Sequence, residues 1–107
     1  MNVTTQRYRE AGEAKDLDAL MSTLSPAVVF HSPLSARAGF AGHDQVRRLF
    51  SVVLGALQDI RYRADTGDDR TRMLAATARL GRHELEEAAL GRLGDDGRIE
   101  ELTLWIR

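Results

Sequence analysis

Apolar residues change their spacing about halfway along the chain, and the change divides it into a helical half and a stranded half. From Thr4 to Lys15, Tyr8, Ala11 and Ala14 recur about one turn apart and predict a helix. Asp16 follows as a cap for a second helix, because its carboxylate accepts bonds from the free amides of a first turn. Leu17, Leu20, Met21 and Leu24 then keep helical spacing. Ser25-Pro26 is expected to end that helix, since a residue before proline avoids helical dihedrals. Ala27 to Ser32 is short, apolar and rich in β-branched residues, and predicts a strand. Pro33 to Gly42 reads as loop, punctuated by Gly39 and Gly42. His43 and Asp44 open a third helix, with Asp44 at its positive dipole end. Val46, Leu49, Phe50, Val53, Leu54 and Leu57 form an unbroken apolar stripe along it.

Beyond that stripe the period drops to two. Ile60, Tyr62 and Ala64 alternate with Arg61, Arg63 and Asp65, as in a half-buried strand. Thr66-Gly67-Asp68-Asp69 is a turn, Thr71 to Leu80 a second strand, and Glu84 to Leu93 a third, entered through Gly81-Arg82. Gly94-Asp95-Asp96-Gly97 is a hairpin signal, because Asp and Gly tolerate positive φ. Arg98 to Ile106 is the last strand. Helices precede a meander of strands, so the class is α+β in a single domain, residues 1–107. The expected architecture is a curved antiparallel sheet with the N-terminal helices on its concave face.

Alternation then assigns faces. Leu102, Leu104 and Ile106 share one side of the last strand and are expected to meet the stripe of Val46, Phe50, Val53 and Leu54. Trp105 falls on the other side with Glu101 and Thr103. That leaves either a lone exposed Trp or an aromatic contact with a second copy of the chain. On the preceding strand, Leu85, Glu87, Ala89, Gly91 and Leu93 share a face that is apolar except for Glu87. If the face has a cavity, Phe50, Leu54, Ala89, Leu102 and Leu104 are its expected apolar lining.

Composition narrows the chemistry. Hydrophobic residues make up 43% and charged residues 29% of 107 residues, the balance of a globular domain. The absence of cysteine excludes disulfides, thiolate nucleophiles and cysteine-held metals. His31, His43 and His83 lack any ligand spacing, so neither a metal nor a cofactor is expected. His83, beside a turn, reads as solvated. The net charge is -1, and Arg alternates with acidic residues, which leaves no basic field for nucleic acid. No apolar run reaches the roughly 20 residues of a membrane helix, and the first residues lack a signal-peptide pattern. A cytoplasmic location is the expectation.

Three residues carry candidate chemistry. Glu87 is a carboxylate on an apolar face, where desolvation raises its pKa unless a bulge turns it outward to Arg79 or Arg92. His31 ends the first strand and is expected on its inward face, as a general base or as a histidine bonded to backbone. Tyr8 brings a hydroxyl from the buried side of the first helix, as a donor into the same space or as an ordinary core tyrosine.

Together these features resemble a family. Ala27-Val28-Val29-Phe30-His31-Ser32-Pro33 after a capped helix, Phe40-Ala41-Gly42-His43-Asp44-Gln45-Val46 opening a long one, and the ending Asp95-Asp96-Gly97-Arg98-Ile99-Glu100-Glu101-Leu102 are similar to the SnoaL-like branch of the nuclear-transport-factor-2-like superfamily. The resemblance covers nearly the whole chain. It implies a cone-shaped fold around a pocket, and pairing of two chains through the outer sheet face. The superfamily includes ketosteroid isomerases, polyketide cyclases, epoxide hydrolases, dehydratases and non-catalytic members. Tyr8 falls where the isomerase pattern has a tyrosine, and His31 where it has an aspartate base. Ala89 falls where that pattern has a second acid, which argues against steroid isomerisation. The Asp–Arg–Asp set of the epoxide hydrolases has no counterpart on the inward positions. With the sequence stopping at Arg107, the pocket mouth is expected to be open, shallow or closed by a second chain.

Two functions follow as expectations. One is acid–base isomerisation, cyclisation or hydration of a small apolar organic molecule, with His31 as base and Tyr8 or Glu87 as donor. The other is a non-catalytic ligand-binding domain or dimeric scaffold.

Overall fold

Asn2 and Asp16 start the two N-terminal helices by the same device. The Asn2 side chain accepts from the Thr5 amide at 2.9 Å, and Asp16 accepts from the Ala19 amide at 3.1 Å. Helix α1 spans Val3–Ala14 and ends at Lys15, which takes the left-handed conformation (φ 56). Helix α2 is short, Leu17–Ser22. The computed structural model describes residues 2–31 and 39–107. The expected loop at positions 33–38 and the strand position Ser32 lie outside the described residues.

The second helix stops earlier than its apolar spacing suggests. Strand β1 runs Leu24–His31 and contains Ser25 and Pro26. Proline is tolerated there because the ladder slips: Leu24 pairs with Ile99, but regular pairing resumes only at Val29 with Glu101. A three-residue strand, β2 (Gly39–Ala41), replaces the last part of the expected loop and pairs antiparallel with β1. Helix α3 spans His43–Ala56. Strands β3 (Gln58–Gly67), β4 (Thr71–Leu80), β5 (His83–Leu93) and β6 (Ile99–Ile106) complete the chain.

The six strands form one sheet in the order β2-β1-β6-β5-β4-β3. The meander from β3 to β6 is antiparallel, but β1 lies parallel to β6. The sheet is thus largely antiparallel, as expected, with β1–β6 as its parallel pair among the described strands. A parallel pair needs a long crossover, and here everything from β2 to β5 intervenes. Register shifts in β3, with Asp59 at φ 53, mark bulges of the kind that bend a strand.

The helices cover one face. Leu102 and Leu104 are buried, and so are Val46, Phe50 and Leu54 of the facing helix. On β1 the buried residues are Leu24, Val28 and Phe30, whereas His31 is exposed. Phe30 sets this facing: its ring meets Phe50 edge-on at 5.5 Å and Phe40 at 6.1 Å between centroids. A buried aromatic of that size fixes the parity of the strand, and His31 must point the other way.

Candidate functional site

Between the helices and the inward sheet face lies a cavity of about 390 Å³. Tyr8 and Gly12 of α1 and Phe50, Val53 and Leu54 of α3 form its helical walls. Phe30, Tyr62, Leu85, Glu87 and Leu104 form the sheet side. Its rim is apolar as well: Val52, Leu80 and Ile106 line it and are exposed. Among the described residues the titratable groups on its walls are Glu87, Tyr8 and Tyr62.

Glu87 reaches this space by strict alternation along β5. Leu85 and Glu87 are partly buried, Ala89 and Leu93 fully, while Glu84, Glu86 and Arg92 are exposed. Its neighbours across the ladder are Ala76 on β4 and Ile106 on β6, so neither offers a polar partner. The two arginines considered as outward partners are engaged elsewhere. Arg79 pairs with Asp59 at 2.8 Å, and Arg92 with Glu100 at 3.0 Å. Among the described residues no ion pair or hydrogen bond reaches the Glu87 carboxyl. Burial alone pushes that carboxyl up from 4.5 to about 7.

The two phenols stand beside it. Their rings meet edge-on, with centroids 6.1 Å apart and planes at 69°. Burial raises the Tyr8 hydroxyl well above the tyrosine range, and the neighbouring Tyr62 and Glu87 add to it. Tyr62 is raised as well, by burial first and then by Glu87. Both therefore stay protonated near neutral pH and can donate a hydrogen bond.

Helix α1 holds Tyr62 in two ways. Glu13 accepts from the Tyr62 backbone amide at 2.8 Å. Gly12 leaves room for the ring, because a Cβ there would come within 3.3 Å of Cε2 and 3.4 Å of the hydroxyl oxygen. Tyr62 was legible only as an inward position of an alternating strand. That it adds a second phenol to the site depends on how β3 packs against α1.

The cavity brings together Tyr8, Glu87, Phe50, Leu54 and Leu104, but not the other candidates. His31 lies on the outer face, where its Nε2 is 3.1 Å from Glu101 Oε2. The bond from His31, with a smaller contribution from Arg92, holds Glu101 below the usual carboxylate range despite some desolvation. The expected convergence of His31 with Tyr8 and Glu87 is thus corrected: the sheet separates them. Ala89 and Leu102 are buried in the core and do not line the cavity, because they lie further along the strands from its open end. Two further hollows, about 540 and 460 Å³, have walls that include exposed, ion-paired arginines, and Glu87 also borders the smaller one, with Arg63 and Arg107. Among the described residues no group of three His, Asp or Glu side chains is placed to hold a metal.

The profile of the SnoaL-like domain matches residues 5–102. No curated protein matches the chain. Several solved structures do. A protein with a cystatin-like fold from Silicibacter pomeroyi aligns with a TM-score of 0.93 at 22% identity, over 100% of this chain and 75% of its own. A steroid delta-isomerase from Pseudomonas aeruginosa aligns at 0.86 and 29% identity, over 97% of this chain and 77% of its own. A polyketide cyclase, so named provisionally, from Sinorhizobium meliloti aligns at 0.80 and 20%, over 97% and 94%.

Proposed function

The chain belongs to the SnoaL-like family, and from that premise we propose that its cavity binds a small, largely apolar ketone and moves a proton between two of its carbons. One observation carries the reading: a carboxyl held at about 7 stands with two protonated phenols inside an apolar cavity. A group whose pKa lies near the working pH can both take and return a proton. The chemistry named for one relative, steroid delta-isomerase, and for another, polyketide cyclase, is compatible with proton transfer next to a carbonyl.

In the proposed step the Glu87 carboxylate removes a proton from the carbon between a carbonyl and a C=C bond. The C–H electrons form the new double bond of a dienolate, and its oxygen accepts hydrogen bonds from the Tyr8 or Tyr62 hydroxyl. Protonated Glu87 then delivers the proton to the far end of the dienolate. Atoms and charge balance without a cofactor. Glu87 takes the base role first expected of His31, because it is the carboxylate that lines the cavity. The cavity is at the small end of the range for ligand sites, which favours a substrate of one or two rings.

The test is conversion of a monocyclic or bicyclic β,γ-unsaturated ketone to its conjugated isomer, followed by ultraviolet absorption. Glu87→Gln should lower turnover by roughly 10²–10⁴, the usual contribution of a general base. The same variant should still bind the ketone. Binding without conversion by the parent protein would leave the second expectation, a non-catalytic ligand-binding domain, in place of the enzyme.

A further inference from the structure

Among the described residues the cavity walls carry a carboxyl group and no cation. On each element that faces Glu87 the charged and titratable neighbours can be named. Helix α1 presents Tyr8, β3 presents Tyr62, and the ladder partners on β4 and β6 are Ala76 and Ile106. The α3 residues that line the cavity, Leu49, Phe50, Val52, Val53, Leu54 and Ala56, are all apolar. The nearby cations lie outside it: Arg79 pairs with Asp59, Arg107 with Glu86, and Arg9 and Arg72 with Asp65, while Arg63 lines the second hollow, which Glu87 also borders, but not the cavity. Phe30, Phe50, Tyr8 and Tyr62 add four aromatic rings to the walls, and ring faces attract cations.

An anionic ligand entering this space would meet a carboxyl group and lose its hydration, with no arginine or lysine among the described lining residues to replace it. A ligand with one positive charge would meet the opposite situation. Its ammonium would supply the missing partner of Glu87, and its apolar body would fill the remaining volume. From this geometry we infer that the site selects by charge, taking neutral molecules and apolar monoamines as ammonium ions paired with Glu87, and refusing carboxylates and phosphates. The inference rests on the cavity being a ligand site, as in the preceding reading, but not on turnover. It also implies that apolar amines compete with the ketone, because an ion-paired Glu87 cannot accept a proton.

Three probes of one shape separate the cases: 2-naphthylmethylamine, 2-naphthylmethanol and 2-naphthoate, titrated calorimetrically from pH 5 to 8.5. At pH 8 the amine is expected to bind roughly 10- to 100-fold more tightly than the alcohol, the size of one charge-assisted hydrogen bond. Its affinity should fall as the pH drops through about 7, where Glu87 takes up its proton. The naphthoate should not bind at pH 8. In Glu87→Gln the amine should lose its advantage while the alcohol binds as before. Equal binding of amine and alcohol to the parent at pH 8 would overturn charge selection and leave the cavity reading standing. Failure of all three probes at millimolar concentration would overturn both.

Discussion

Glu87 stands between Ala76 and Ile106 on the inward face of the sheet, and its ionisation therefore works against folding. The sign follows from the direction of the shift. Its carboxyl rises from 4.5 to about 7 on folding, so between those values the folded chain holds a proton that the unfolded chain has lost. Stability from this residue is fully present below about 4.5 and is lost as the pH rises through about 7. The size is on the order of 3 kcal/mol. Asp65 acts oppositely. Burial alone would raise it, but bonds from Arg72, Thr5 and Arg9 together lower it, so its contribution is present above 3.8 and disappears in acid. The difference between the parent and Glu87→Gln isolates the first effect. Chemical denaturation from pH 4 to 8.5 should show the variant gaining on the parent through that window. Parallel curves would mean that Glu87 is solvated. Period-two spacing put Glu87 in an otherwise apolar row but left open a bulge that would turn it outward, and the unbroken β4–β5 register removes that alternative. The same spacing was not enough for His31, where both sets, Ala27/Val29 and Val28/Phe30, are apolar. Only the packing of Phe30 between Phe40 and Phe50 decides that strand.

Helix α1 and strand β3 act on each other through Tyr62, and Gly12 makes the contact possible. A glycine inside a helix costs about 1 kcal/mol relative to alanine. Here the missing side chain leaves the space that the Tyr62 ring occupies, at distances where a Cβ would press on it. Gly12→Ala should therefore stabilise the chain by less than the helix propensity gain alone. Combined with Tyr62→Leu, which removes the ring, the same substitution should recover the full gain. A double-mutant cycle should give a coupling of roughly 0.5–3 kcal/mol, as expected of residues in contact. Additive effects would show that Gly12 does not set the position of Tyr62. The elements themselves were largely legible. The stripe of α3 and the limits of β4 follow from spacing alone. The start of β1 was hidden because Leu24 continues the helical spacing of α2, and Pro26 reads as a terminator. Its place in a slipped part of the ladder comes from pairing with β6, which is distant in sequence. The same distance hid the parallel β1–β6 pair.

On the outer face of the sheet, two cross-strand rows run over β4, β5 and β6. Ala75, Ala88 and Trp105 form one, and Met73, Leu90 and Thr103 the other. Trp105 is 49% exposed and Met73 42%, so the rows make an apolar band that the helices leave uncovered. Charge borders it on both sides: Glu86 pairs with Arg107 beyond one row, and Arg92 with Glu100 beyond the other. An apolar centre with a charged rim is the usual anatomy of a protein–protein contact. A second copy of the chain is the occupant this pattern fits, because a twofold axis through the band would set Trp105 against the same band of the partner. The expected assembly is a homodimer through this face, with no demand on the cavity, which opens on the opposite side. Sedimentation equilibrium of the parent should give about twice the chain mass of 11.9 kDa. Trp105→Glu, which places a charge at the centre of the band, should return it to the monomer with its fold unchanged. A parent that sediments as a monomer, or a variant that stays dimeric, would show that the band is not the contact.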